Sequence, residues 1–239
     1  MEGVEQVNLL RALVGGARSR LAALIYAVRR PPIEVRVPTV HHGTAYGGWT
    51  MCPAVLTENS VVYSFGVGED ISFDLSLIEH YGLSVHAFDP TPKVVTWVRS
   101  QRLPDRFHLH DYGVADYDGT ATFYPPENPA HVSHTMLAPA RSTGQPITVP
   151  VRRLGSIMRE LGHHRVDVLK LDVEGAEYAV IADILRSEVE VGQWLVEFHH
   201  RFPGVGWKRT EEAIRLLRSH SFGVFAVSKR GNEYSFLRR

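Results

Sequence analysis

Residues 167–177 read DVLKLDVEGAE. Val168, Leu169, Leu171 and Val173, interrupted only by Lys170, form a short and nearly continuous apolar run, the pattern of a strand buried on both faces of a parallel sheet. Three acidic residues, Asp172, Glu174 and Glu177, cluster where the run ends, and helical patterning begins within a few residues. A strand that passes into a helix in this way delivers its last side chains to the crevice at the carboxyl edge of the sheet. Asp172 is therefore placed either to handle a ligand or to cap the helix expected over 176–186.

Outward from this stretch the chain alternates. Strands are expected over 61–67, 85–88, 107–109, 166–173 and 194–198, and helices over 73–81, 94–98, 154–161, 176–186 and 211–219. Strand after helix implies parallel neighbours joined by right-handed crossovers. The C-terminal end departs from that rule: the runs 224–228 and 233–237 are joined by the tight turn 229–232, which forces the last strand to run antiparallel. The expectation is an α/β fold with a mostly parallel sheet closed by a C-terminal hairpin. Residues 117–150 interrupt the rhythm with a turn at Asp118 and Gly119, a short strand over 120–124 and a Pro-rich loop holding His131 and His134. Long insertions of this kind form lids or substrate walls.

The expected division is an N-terminal helical extension and cover segment, 1–58, ahead of a main domain, 59–239, that carries the insertion 117–150. Leu9, Leu10, Leu13, Leu21, Leu24 and Ile25 recur at helical spacing, broken by Gly15 and Gly16 and ended by Pro31 and Pro32. Such a helix packs on the main domain or pairs with a second copy in a homodimer; its arginines also give it the basic face that suits a membrane surface. Residues 33–57 read as irregular, with Tyr46 and Trp49 set among Gly43, Gly47 and Gly48 as a candidate cover over a ligand.

The 239 residues suit one domain of about 200 to 250 residues with an extension. The 26 basic residues balance the 26 acidic ones and are spread along the chain, which argues against a nucleic-acid partner. Cys52, alone, excludes an internal disulfide and reads as a small packed residue. No apolar run approaches the ~18 residues of a bilayer span, and the N-terminus lacks a signal-peptide layout. A cytoplasmic protein without stable membrane insertion is expected.

Residues 61–70, VVYSFGVGED, run a strand into Gly66 and Gly68, where missing Cβ atoms let backbone amides approach a ligand. Ile71 stands where a dinucleotide fingerprint has its third glycine, so the nicotinamide pattern is incomplete. Asp89 closes the next strand about twenty residues later, the place of a carboxylate that accepts ribose hydroxyls; it also suits a turn before Pro90. Phe88 and Pro90 can flank an adenine ring. Glu197 and His199 share one alternation phase, and His200 points away from it. His163 and His164 fall at the opposite end of the sheet and are expected to face solvent.

The segments FGVGEDISFD, HAFDPTP, HDYGVADYDG, DVLKLDVEGAE and LVEFHHRF together resemble the FkbM-type family of S-adenosylmethionine-dependent methyltransferases. The resemblance runs from about Tyr46 to the C-terminus and is most specific at DVEGAE and FDPTP. It implies the Rossmann-like class I methyltransferase fold with seven strands, S-adenosylmethionine as cofactor, and methyl transfer to a hydroxyl of a sugar, polyketide or other small secondary metabolite.

Under that resemblance the donor-binding candidates are Gly66, Gly68, Asp70, Asp89, Asp111 and Asp172, together with Ser64, which stands where the fold commonly has an acidic residue. Asp172 and His199 are the candidates for catalysis, since a neutral hydroxyl needs a base within hydrogen-bond reach. Tyr46, Trp49, His134, Glu174 and His200 are the acceptor-side candidates. Asp172, Glu174, His199 and His200 are of ligand type, but their spacing demands no metal. The competing readings are an NAD-dependent oxidoreductase and a non-catalytic binding subunit that keeps the fold.

Overall fold

The computed structural model describes residues 30–54, 56–125, 135–136 and 145–239. The N-terminal helix expected before Pro31 therefore lies outside the described residues. Where an irregular cover was expected, β1 (Val40–His42) and β2 (Trp49–Met51) pair as an antiparallel hairpin. Strands of three residues leave too little alternation to be read from sequence. Next come β3 (Val61–Phe65), α1 (Ser72–Tyr81), β4 (Ser84–Phe88), α2 (Pro92–Arg99) and β5 (Phe107–His110), close to the expected bounds.

The insertion is bracketed by a small sheet. Here β6 (Gly113–Val114) and β7 (Gly119–Phe123) flank β8 (Ile147–Arg152), and β8 was not expected. Pro150 within it reads as a strand breaker, but β6 pairs β8 only at Val151 and Arg152, so β8 is an edge on that side at Pro150. The chain continues through α3 (Leu154–Leu161), β9 (Arg165–Leu171), α4 (Glu177–Arg186), β10 (Glu190–Glu197), α5 (Trp207–Ser219), β11 (Phe222–Val227) and β12 (Glu233–Arg238).

Seven of these strands form the main sheet in the order β11-β12-β10-β9-β3-β4-β5. β3, β4, β5, β9 and β10 are parallel, and β12 runs antiparallel between β10 and β11. The chain starts at β3, builds outward to β5, then returns to add β9 on the other flank. The switch of direction between β3 and β9 opens a crevice at their carboxyl ends.

Alternation divides the core into two layers. Tyr63, Phe65, Leu169, Leu171, Trp194 and Val196 point to the layer filled by α3, α4 and α5. Val62, Val168 and Leu195 point to the other, filled by α1, α2 and the β2 residues Trp49 and Met51. Cys52 is buried there, with its backbone N–H and C=O both bonded to the Gln193 side chain. His163 is not free in solvent: its Nδ1 lies 2.7 Å from the Tyr63 hydroxyl, and its ring packs on His86. No helix among the described residues is long and apolar enough to cross a membrane.

Candidate active site

One end of the crevice is built by the turn after β3. Gly66 and Gly68 both have left-handed φ, 72° and 56°. A Cβ on Gly66 would stand 1.7 Å from the Asp172 carbonyl oxygen, so only glycine lets the ends of β3 and β9 meet. Gly68 differs, because nothing lies within 4 Å of where its Cβ would be and the residue lines the crevice. Its N–H donates to Asp89 Oδ2 at 3.2 Å, and the other oxygen of Asp89 accepts from Thr91 N–H at 3.0 Å. Asp89 thus shapes the turn before Pro90 and also lines the crevice; burial raises its pKa.

Beneath the turn lies a polar layer that the sequence reading did not anticipate. Lys170, an interruption in the apolar run, is 4% exposed and donates its Nζ to the Gly66 carbonyl at 2.7 Å. The Trp49 ring centre is 5.7 Å from that ammonium. Asp74 is buried on the same side, and desolvation pushes its pKa up to about 6 against the opposing charge of Lys170. Ser64 is fully buried beside Asp74 and lies under the crevice, outside its lining. The signal for this layer was the single charge, Lys170, inside the apolar run 168–171, which burial on both faces obliges to find partners.

Asp70 lines the crevice but has a structural task. It accepts from the Thr44 hydroxyl at 2.6 Å and from Ser72 N–H at 2.9 Å, which ties the β1–β2 hairpin to the start of α1. Burial alone would raise its pKa; these bonds outweigh it and hold the carboxyl below its ordinary value. Asp111 does not reach the crevice: it pairs with Arg99 at 3.3 Å on the exposed surface.

The other end gathers Asp172 and Glu174 after β9 with Glu197 at the end of β10. Asp172 is not a helix cap. The first residue of α4, Glu177, does the local bonding instead, accepting from Gly175 N–H at 2.8 Å and from His199 N–H at 2.9 Å. Glu174 takes a left-handed φ of 51°, uncommon for a residue with a Cβ.

His199 sits behind these carboxylates with a side chain only 7% exposed, and it does not line the crevice. Its Nε2 is 3.3 Å from Glu174, 3.7 Å from Asp172 and 4.0 Å from Glu197, so the shared phase with Glu197 is observed. Burial would lower its pKa, but Glu177, then Glu174 and Asp172, push it up to about 10. The ring lies behind the crevice lining and is not placed to take a proton from an acceptor, against its expected role as a base. Glu197 was not among the expected site residues. Burial and then Asp172 push its carboxyl up to about 7.

Trp49 and Tyr46 both line the crevice, Trp49 buried and Tyr46 84% exposed at the rim. His200 turns away, its ring edge-on to Trp207 at 4.8 Å. His134 and His131 lie outside the described residues. The insertion nevertheless contributes Phe123 and Met136 to the lining, and the Thr135 hydroxyl donates to the Glu174 carbonyl at 2.6 Å. Arg230 and Glu233 reach the crevice from the β11–β12 hairpin.

The strand order, the glycine turn and the carboxylate after β4 define a class I methyltransferase fold with a crevice at the switch point. The Methyltransferase FkbM domain matches residues 61–224, and the chain belongs to that family. Membership brings S-adenosylmethionine as the cofactor, and the open face at Gly68 beside Asp89 fits its nucleoside. The chain is 30% identical over 183 residues to "Probable methyltransferase-like protein 24" of Rattus norvegicus, covering 72% of this chain and 44% of that protein. It is 27% identical over 201 residues to "31-O-demethyl-FK506 methyltransferase FkbM" of Streptomyces tacrolimicus, covering 72% and 75%. Aeropyrum pernix fibrillarin, solved with natively bound S-adenosyl-L-methionine, aligns with a TM-score of 0.41 at 13% identity, covering 89% of this chain and 72% of that one. The chain spans less than half the length of the methyltransferase-like protein 24 relatives it matches.

Proposed function

We propose that the chain is an S-adenosylmethionine-dependent O-methyltransferase acting on a hydroxyl of a sugar, polyketide or other small secondary metabolite. The observation that carries this reading is one crevice with a glycine turn and Asp89 at one end and the carboxylates Asp172, Glu174 and Glu197 at the other. When bound, the donor supplies a sulfonium methyl group, to which the acceptor oxygen bonds as the carbon–sulfur bond breaks and its electron pair stays on sulfur.

The chain's own part is placement and proton handling. Gly66, Gly68 and Asp89 hold the donor at the switch point, and Lys170 fixes the turn from below. Trp49, Tyr46, Phe123 and Met136 wall the acceptor side and limit its freedom, which supplies much of the rate in an in-line transfer. Asp172 orients the acceptor hydroxyl, and Glu197, which lines the same end, receives its proton. His199 acts behind them as a positioning residue.

Calorimetry on the full chain tests the reading. Heat of binding is expected with S-adenosylhomocysteine and none with NAD. Folded protein that gives no heat with S-adenosylhomocysteine would overturn it.

A further inference from the structure

One imidazole at the acceptor end faces four carboxylates. Asp172, Glu174, Glu177 and Glu197 all approach the His199 ring within 3.3 to 4.0 Å. Four acidic side chains gathered around one ring are a costly arrangement in a largely buried place. His199 is 93% shielded, and its Nδ1 stops 3.5 Å from Glu177 with no hydrogen bond formed. The ring is thus held by packing and by its own backbone bond to Glu177, with Nε2 aimed between Asp172 and Glu174.

The spacing suits a shared ion. Donor atoms at about 2.1 Å from one ion stand about 3.0 Å apart at a right angle and about 4.2 Å apart in opposition. One donor atom each from Asp172, Glu174 and His199 lie within 4.8 Å of one another, and the two contacts to Nε2 are 3.3 and 3.7 Å. On the far side of the ring, Glu177 is fully buried and pinned by two backbone N–H groups. A fixed carboxylate behind a histidine is the usual support of a metal-binding imidazole, because it sets the ring's orientation and raises its basicity.

We infer that Asp172, Glu174 and His199 bind one divalent first-row ion at the acceptor end of the crevice, with Glu177 as the carboxylate that orients His199. Two carboxylates with one imidazole suit Mn²⁺, Fe²⁺ or Zn²⁺ better than Mg²⁺, which prefers oxygen and retains water. The ion gives a physical basis to the positioning role of His199 behind the lining. This assignment rests on the methyl-transfer reading of the same crevice, in which an ion beside the acceptor oxygen draws off charge and eases passage of its proton to Glu197.

The test uses the full chain stripped with a chelator and then titrated with Mn²⁺ and, separately, Zn²⁺, followed by calorimetry and by the loss of the free Mn²⁺ resonance signal. One equivalent is expected to bind and to raise the melting temperature. Asp172→Asn and Glu174→Gln should each weaken binding at least tenfold, and Glu177→Gln about 10- to 100-fold. Circular dichroism checks that each variant is folded. If neither ion binds the folded wild-type chain, or if all three folded variants bind as wild type does, the inference falls. S-adenosylhomocysteine binding is measured on the same metal-free sample. Donor binding without ion binding removes the metal site alone, whereas absence of donor binding removes the methyl-transfer reading.

Discussion

Glu197 and His199 stand two residues apart on one side of the sheet, yet only the first meets the crevice. A shared alternation phase is legible in the sequence, but depth is not, because it depends on how Glu174 folds over the end of β9. We therefore expect Glu197→Gln to lower kcat about 100-fold while leaving affinity for S-adenosylhomocysteine within about twofold; an equal loss in both would refute the proposed division of labour. The position of Asp89 beside the glycine turn was legible because strand end and turn are spaced as in other nucleotide-binding sheets. Asp89→Asn should weaken donor binding at least tenfold by calorimetry, since it loses both a ribose acceptor and a firm hold on Gly68 N–H. Asp111 was equally plausible by position, but it falls beyond the crevice, where pairing with Arg99 in solvent satisfies it.

Strands and helices of the main sheet were readable because their burial is periodic or continuous. Those that escaped, β1, β2, β6 and β8, are short or hold a proline, and only their partners make them strands. At this scale the backbone contact between β3 and β9 is the sensitive point. Gly66→Ala forces a Cβ against the Asp172 carbonyl at a positive φ, so unfolding by denaturant should show a loss of more than about 2 kcal/mol. The edge strand β5 and its neighbour β4 carry another predictable property. Burial, and then the neighbouring His108, depress the pKa of His86 to about 3 and of His110 to about 4 from the ordinary 6.5. Well above pH 6.5 both folded and unfolded rings are neutral and the contribution is complete. As pH falls below that value the unfolded chain binds protons that the fold refuses, so stability is lost progressively toward pH 4. Denaturant midpoints between pH 7.5 and 5 should fall, and His86→Gln should flatten the dependence; an unchanged slope in the variant would count against this origin.

For the whole molecule, donor binding and folding are linked, because the crevice exists only when β3, β4, β9 and β10 are assembled. S-adenosylhomocysteine at one hundred times its dissociation constant should add about 2.7 kcal/mol to unfolding. A calorimetric melt that does not move would deny that linkage. The tertiary ties least visible in sequence are those between distant segments, such as Thr44 with Asp70 or Thr135 with Glu174, which bring a hairpin and an insertion to the same opening.

The packing of Gly66 against Asp172 carries a consequence for how such a site diversifies. With no room for even a methyl group between them, the donor turn and the acidic strand end behave as one rigid joint. Under the proposed methyl transfer, acceptor selectivity would then reside in the surrounding loops, those that carry Tyr46, Met136 and Arg230, and could drift while this joint stays fixed.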